Sequence, residues 1–77
     1  MITFEDAYKT ALEIKPNIDN CTEYENGWVF GCYDDNNYIG GWGHTPVVIL
    51  RDGRKTVMPE FETIGTGKEI GRRDLKR

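Results

Sequence analysis

The stretch that decides the fold is Cys21-Thr22-Glu23-Tyr24-Glu25-Asn26-Gly27-Trp28-Val29-Phe30-Gly31-Cys32-Tyr33-Asp34. Asn-Gly between two runs of alternating side chains is a strong hairpin signal, because both residues accept the backbone angles of a tight turn. Residues 21–25 and 28–34 therefore read as two antiparallel strands joined at Asn26-Gly27. Two registers compete. A two-residue loop pairs Glu25 with Trp28 and Glu23 with Phe30, which mixes acids with large apolar groups on one face. A three-residue loop, Glu25-Asn26-Gly27 with a left-handed Gly27, pairs Tyr24 with Trp28. Thr22, Tyr24, Trp28, Phe30 and Cys32 then share one face, and Glu23, Val29, Gly31 and Tyr33 share the other. Binary patterning favours the three-residue loop. That register predicts Trp28 in the core and Cys21 and Cys32 on opposite faces, placed against a disulfide.

Upstream, Thr3 reads as a helix N-cap, with Asp6 three residues later in a capping-box arrangement. Glu5 and Asp6 sit where the helix dipole favours acids, and Ile2 can staple onto the first turns. Phe4, Ala7, Tyr8, Ala11 and Leu12 form one apolar stripe at helical spacing. Pro16 ends the helix, since the residue before a proline avoids the α region. Downstream, residues 34–45 form a loop rich in Asp, Asn and Gly. Val47-Val48-Ile49-Leu50 reads as a buried strand, and residues 54–58 as its partner across a turn at Asp52-Gly53. A two-residue loop here sets Arg51 against Arg54, so the three-residue form is expected. Residues 60–64 read either as one short helical turn or as an extended edge. Gly65, Gly67 and Gly71 break longer elements, which leaves 65–77 as a flexible basic tail. The expected fold is α+β: one domain over residues 1–77, an N-terminal helix packed on a small antiparallel sheet of two β-hairpins, a two-layer sandwich.

At 77 residues the chain buries only about 60 to 65% of its unfolded surface, enough for one thin core. A deep substrate cavity competes with that core, so the composition leans towards an external binding surface. No apolar run approaches the ~20 residues that span a membrane, and the opening residues carry no export signal, which places the chain in the cytoplasm. The net charge of −3 is uneven: residues 1–35 hold eight acids against two bases, and residues 36–77 hold eight bases against five acids. The acidic half favours a basic partner. The alternative is a nucleic-acid-binding domain that uses Arg51, Arg54, Lys55 and the tail, which the overall acidity opposes; a non-catalytic regulatory subunit is a further alternative.

Catalytic and cofactor signals are thin. Cys21, Cys32 and His44 are the soft ligands, without the C-x₂₋₄-C spacing of a zinc site. Gly65-Thr66-Gly67-Lys68 lacks the P-loop pattern, and Glu69 next to it repels phosphate. His44 has Asp34 and Asp35 as possible acid–base partners but no positioned orienting group, and the same holds for a Cys32/His44 pair. The expectation is no enzyme, no metal and no cofactor. Trp42, among Gly40, Gly41 and Gly43 and after Tyr38, reads equally as a loop anchor for a protein contact or as a lid on the thin sheet.

The helix start Met1-Ile2-Thr3-Phe4-Glu5-Asp6-Ala7, the segment Gly27-Trp28-Val29-Phe30, and Gly43-His44-Thr45-Pro46-Val47-Val48-Ile49 together resemble the small YrhB-like immunity proteins found beside bacterial polymorphic toxins. The resemblance covers about residues 1–60; residues 65–77, glycine-rich and basic, depart from the acidic closing helix of such proteins. It implies a cytoplasmic antidote that binds and blocks a cognate toxin. Glu23, Glu25, Asp34 and Asp35 are the acids expected at such a surface, since unlike charge speeds association, with Tyr38 and Trp42 as anchors.

Overall fold

A computed structural model describes residues 1–16, 18–31 and 46–75. Helix α1 spans Phe4–Ile14 and opens as its local chemistry dictates: the Thr3 hydroxyl accepts the Asp6 N–H at 3.2 Å while the Asp6 carboxylate accepts the Thr3 N–H at 3.5 Å. It closes at Lys15, extended at φ −134°, ψ 90°, as the following Pro16 requires. Its stripe turns inward, with Ala7 and Ala11 fully buried. Phe4, Tyr8 and Phe30 form a three-ring cluster, Tyr8 stacking on each phenylalanine with ring centres 5.8 Å apart and the two phenylalanines 5.9 Å apart.

Among the described residues five strands follow: β1 (Asn20–Tyr24), β2 (Gly27–Gly31), β3 (Val47–Leu50), β4 (Lys55–Thr56) and, after the short helix α2 (Met58–Ile64), β5 (Glu69–Asp74). They form one antiparallel sheet in the order β4-β3-β2-β1-β5. The fold is α+β, with α1 on a sheet built around two hairpins. Cys21, Trp28, Phe30, Val47 and Ile49 pack with Ala7, Ala11 and Ile18 beneath α1. Full burial of side chains as large as Trp28 and Phe30 stabilises by about 1.5 to 3 kcal/mol each. On the opposite face Phe61 of α2 covers Val48 and Leu50, with Tyr24 and Val29 beside it. All four residues of β3 are buried for that reason, the strand being covered from both sides.

The second hairpin has the three-residue turn expected of it. Gly53 N–H donates to Leu50 O at 2.9 Å, Leu50 N–H to Arg54 O at 2.8 Å, and Gly53 takes φ +95°, a left-handed position that suits glycine. Arg51 and Arg54 thus avoid facing each other. Strand β4 is shorter than the expected 54–58, because Met58 already begins α2, with Pro59 in its first turn. Residues 60–64 are therefore helical.

The first hairpin corrects the sequence reading. Tyr24 pairs with Gly27 and Glu23 with Trp28, so the loop is Glu25-Asn26 and neither expected register forms. Both loop residues keep negative φ, as does Gly27. Gly27 is needed for a different reason: a β carbon there would lie 2.8 Å from Ile49 O and 3.4 Å from the Phe61 ring. Trp28 and Phe30 consequently share their face with Cys21 and Glu23, and Thr22 and Tyr24 lie with Val29 on the other. Cys32 and Tyr33 lie outside the described residues.

The second correction concerns the C-terminal end. In place of a flexible tail, residues 69–74 add to the outer side of β1 as β5. A loop from α2 leads there by strapping the first hairpin's turn. Asn26 Nδ2 donates to Gly65 O at 2.8 Å, Glu25 N–H to Lys68 O at 3.0 Å, and Lys68 N–H to the Glu25 carboxylate at 2.6 Å.

Candidate functional site

The two turns, 25–26 and 51–53, meet at one end of the sheet, and the last turn of α2 joins them there. Arg51 organises this end. Its Nη2 donates to Glu23 Oε2 at 3.0 Å and to Tyr24 O, and its Nε donates to Glu25 O at 3.1 Å. The guanidinium plane lies over Trp28, 4.2 Å from the ring centre. The Arg51 and Glu23 side chains are 22% and 24% exposed, so this pair is better shielded than an ordinary surface ion pair. Trp28 itself is buried, as expected, and its indole N–H finds no acceptor among the described residues.

Outside this knot lies a shallow depression of about 250 Å³ lined by Asn26, Leu50, Arg51, Asp52, Arg54 and Ile64. Ile64 is 59% exposed, one of the few large apolar side chains left on the surface among the described residues. The Arg54 side chain is held by Asp52, Nε to Oδ2, at 2.8 Å. The Arg54 N–H also donates to Asp52 Oδ1 at 3.0 Å, and this bond, aided by the Arg54 side chain, holds the Asp52 carboxyl below the usual range. Its lining combines apolar Leu50 and Ile64 with charged Arg51, Asp52 and Arg54, a mixture found at protein contact surfaces.

A second depression, of about 310 Å³, runs along β1 and β5 and is lined by Asn20, Cys21, Thr22, Arg72, Arg73 and Asp74. Its thiol is unsuited to chemistry. Burial pushes Cys21 up to about 12, against a smaller opposing pull from Arg73, so the neutral form persists at physiological pH. Among the described residues no three His, Cys, Asp or Glu side chains gather as a metal site. None of the helices among the described residues is long and apolar enough to cross a membrane.

Compared with family models, curated proteins and solved structures, the chain matches none.

The residues expected at a partner surface divide into two groups. Glu23 and Glu25 come together at the turn end, but both are engaged within the chain: Glu23 by Arg51, Glu25 by the Lys68 N–H. Asp34, Asp35, Tyr38 and Trp42 lie outside the described residues, as do Cys32 and His44. The basic residues of the second hairpin are likewise occupied in part, Arg51 by Glu23 and Arg54 by Asp52. Sequence reasoning missed Ile64. Its signal was the spacing from Phe61 followed by Gly65: once 58–64 is a helix ended by glycine, Phe61 is the core residue and Ile64 sits on its last turn.

Proposed function

We propose that the chain is a protein-binding module that receives its partner at the turn end of the sheet. The observation that carries this reading is Ile64, an aliphatic side chain 59% exposed at a depression lined in part by charged residues. Apolar anchors that become buried within a polar rim supply most of the free energy of protein association. The pairing of Arg51 and Arg54 with acids supports a protein partner over nucleic acid, since each neutralised guanidinium releases fewer counterions from a phosphate backbone. Residues 1–35, with eight acids and two bases, suit a basic partner. The resemblance to immunity proteins supplies the class: a cognate toxin, bound and blocked in the cytoplasm. The proposal gives the chain no catalytic step.

The test is co-purification from the native host with tagged wild type and with Ile64→Asp. One protein recovered in stoichiometric amount by wild type and lost with Ile64→Asp, at unchanged urea midpoint, is the expected result. Equal recovery by both forms would remove the turn end from the interface. Recovery of nucleic acid with wild type would replace the protein-binding reading.

A further inference from the structure

Asn26-Gly27 is the chain's one Asn-Gly dipeptide, and it closes a turn whose loop residues, Glu25 and Asn26, are both exposed. An asparagine followed by glycine is chemically labile, because the glycine nitrogen has no β carbon beside it to block its approach to the asparagine side chain. In the reaction a bond forms between the Gly27 nitrogen and Asn26 Cγ, and the bond from Cγ to Nδ2 breaks. The proton from the Gly27 nitrogen leaves with the ammonia. Water then opens the five-membered imide at either carbonyl, giving aspartate or isoaspartate at position 26. Water is the one co-reactant, and the shallow depression that Asn26 lines is open to it.

The fold withholds the geometry rather than the reagent. Asn26 Nδ2 donates to Gly65 O at 2.8 Å, which fixes the side-chain amide on the strap of residues 65–68. The Asn26 N–H donates to Thr66 O at 3.2 Å, and its C=O accepts the Arg51 N–H at 3.4 Å. Gly27 is held opposite Tyr24 in the β1–β2 ladder. Ring closure needs the side chain and the Gly27 nitrogen to turn towards each other, and both are engaged elsewhere. Gly67 lets the strap come this close: a β carbon there would lie 2.7 Å from Glu25 Cβ and 3.3 Å from Asn26 Nδ2, at φ +75°. None of residues 65–68 is buried, so the strap opens by exchanging its bonds for water while the core stays folded. Asp52-Gly53, at the same end, is a weaker candidate. Its carboxylate is held by Arg54 at 2.8 Å and is a poor target for an incoming nitrogen, and the Gly53 N–H is engaged by Leu50 O at 2.9 Å.

We propose that Asn26 is a deamidation site guarded by the strap 65–68, and that its reaction makes opening of the strap irreversible. While Nδ2 is seated on Gly65 O the amide persists. Once the strap lifts, the ring closes and ammonia is lost. The ionised product has acceptor oxygens and no donor, so it does not re-form the bond to Gly65 O. Its charge also lies next to the Glu25 carboxylate that holds the Lys68 N–H. The isoaspartate form further lengthens the main chain of the two-residue turn by one carbon. The strap that leads to β5 therefore stays off. This inference uses the strap alone and holds whether or not the turn end receives a partner.

Purified protein aged at mildly alkaline pH, in native buffer and in guanidinium, tests this by peptide mass spectrometry of position 26. The expected native rate is about a tenth of the denatured rate or lower, since the reaction waits on local opening. Gly67→Ala pushes the strap off without touching the dipeptide and is expected to bring the native rate close to its own denatured rate. Glu25→Ala, which takes away the acceptor of the Lys68 N–H, serves the same test should Gly67→Ala not fold. In Asn26→Asp the Lys68 N–H is expected to exchange with deuterium faster than in wild type. Four results would overturn the proposal: no reaction at position 26 in guanidinium, equal native and denatured rates in wild type, a folded strap variant as slow as wild type, or Asn26→Asp with the Lys68 N–H as protected as in wild type.

Discussion

The guanidinium of Arg51 covers Trp28 at 4.2 Å from the ring centre, and the same group holds Glu23, the residue paired with Trp28 across the hairpin. An acid can therefore share a face with a buried tryptophan. The register of the first hairpin depends on an arginine that lies in the turn of the second.

Arg51→Ala is expected to cost about 2 to 3 kcal/mol, because it strips the half-buried Glu23 and the Tyr24 and Glu25 carbonyls of their donor. Arg51→Lys keeps the charge but loses the fork, at a cost of about 1 kcal/mol. Trp28→Ala, emptying a core position, is expected to cost about 3 to 5 kcal/mol. Trp28→Phe gives up size but no hydrogen bond to any described residue, among which the indole N–H finds no acceptor. Urea unfolding measures all four, and an Arg51→Ala loss below about 0.5 kcal/mol, the worth of an exposed pair, would contradict the knot.

Three glycines should respond differently to alanine. At Gly27 the new methyl meets backbone on β3 at 2.8 Å, and overpacking of that kind costs about 1 to 3 kcal/mol. At Gly53 there is room, but φ is +95°, a conformation that costs an L-residue about 1 kcal/mol. At Gly71 nothing lies near, so removing glycine's excess freedom in a strand is expected to be neutral or to stabilise by about 0.5 kcal/mol. The order of the three urea midpoints is the measurement.

Cys21 should be a silent thiol. With its value pushed from 9.0 to about 12 by burial, the native thiolate fraction near pH 8 falls about a thousandfold. In a Cys32→Ser background, a disulfide reagent should react at once in urea and far more slowly under native conditions. The raised value also means that its contribution to stability is complete below pH 9 and is lost as the pH climbs towards 12. Cys21→Val should show a shallower alkaline decline in melting temperature than wild type.

Asp52 should act in the opposite sense. Its folded value is depressed, first by the Arg54 N–H, so its contribution is present above 3.8 and fades as the pH falls through the folded value. The melting-temperature difference between wild type and Asp52→Asn is expected to be constant near neutrality and to close in acid. A difference that widens in acid would contradict the assignment.

Much of the fold is legible in the sequence wherever the deciding interactions are local. The Thr3/Asp6 capping box, the stop at Pro16 and the left-handed Gly53 turn each involve residues within a few positions of one another. The candidate site is less legible. Ile64 becomes a surface residue only once Phe61 has found the pocket against Tyr24 and Gly27. Glu25, a plausible contact acid by its turn position, is taken by the amide of Lys68, 43 residues away.

What the sequence determined by itself, then, was helix α1, the strand 47–50 with its three-residue turn, and Trp28 as core: each follows from period, cap or turn chemistry within one segment. Tertiary structure alone decided the first hairpin's register and the fate of residues 69–74. The register turns on Arg51 offsetting the charge of Glu23 and on Gly27 clearing space against β3 and Phe61, contacts between segments that sequence periodicity does not connect. Strand β5 forms because β1 offers it an unpaired backbone edge, and backbone hydrogen bonds can order a glycine-containing, charged segment whose side chains do not call for a strand.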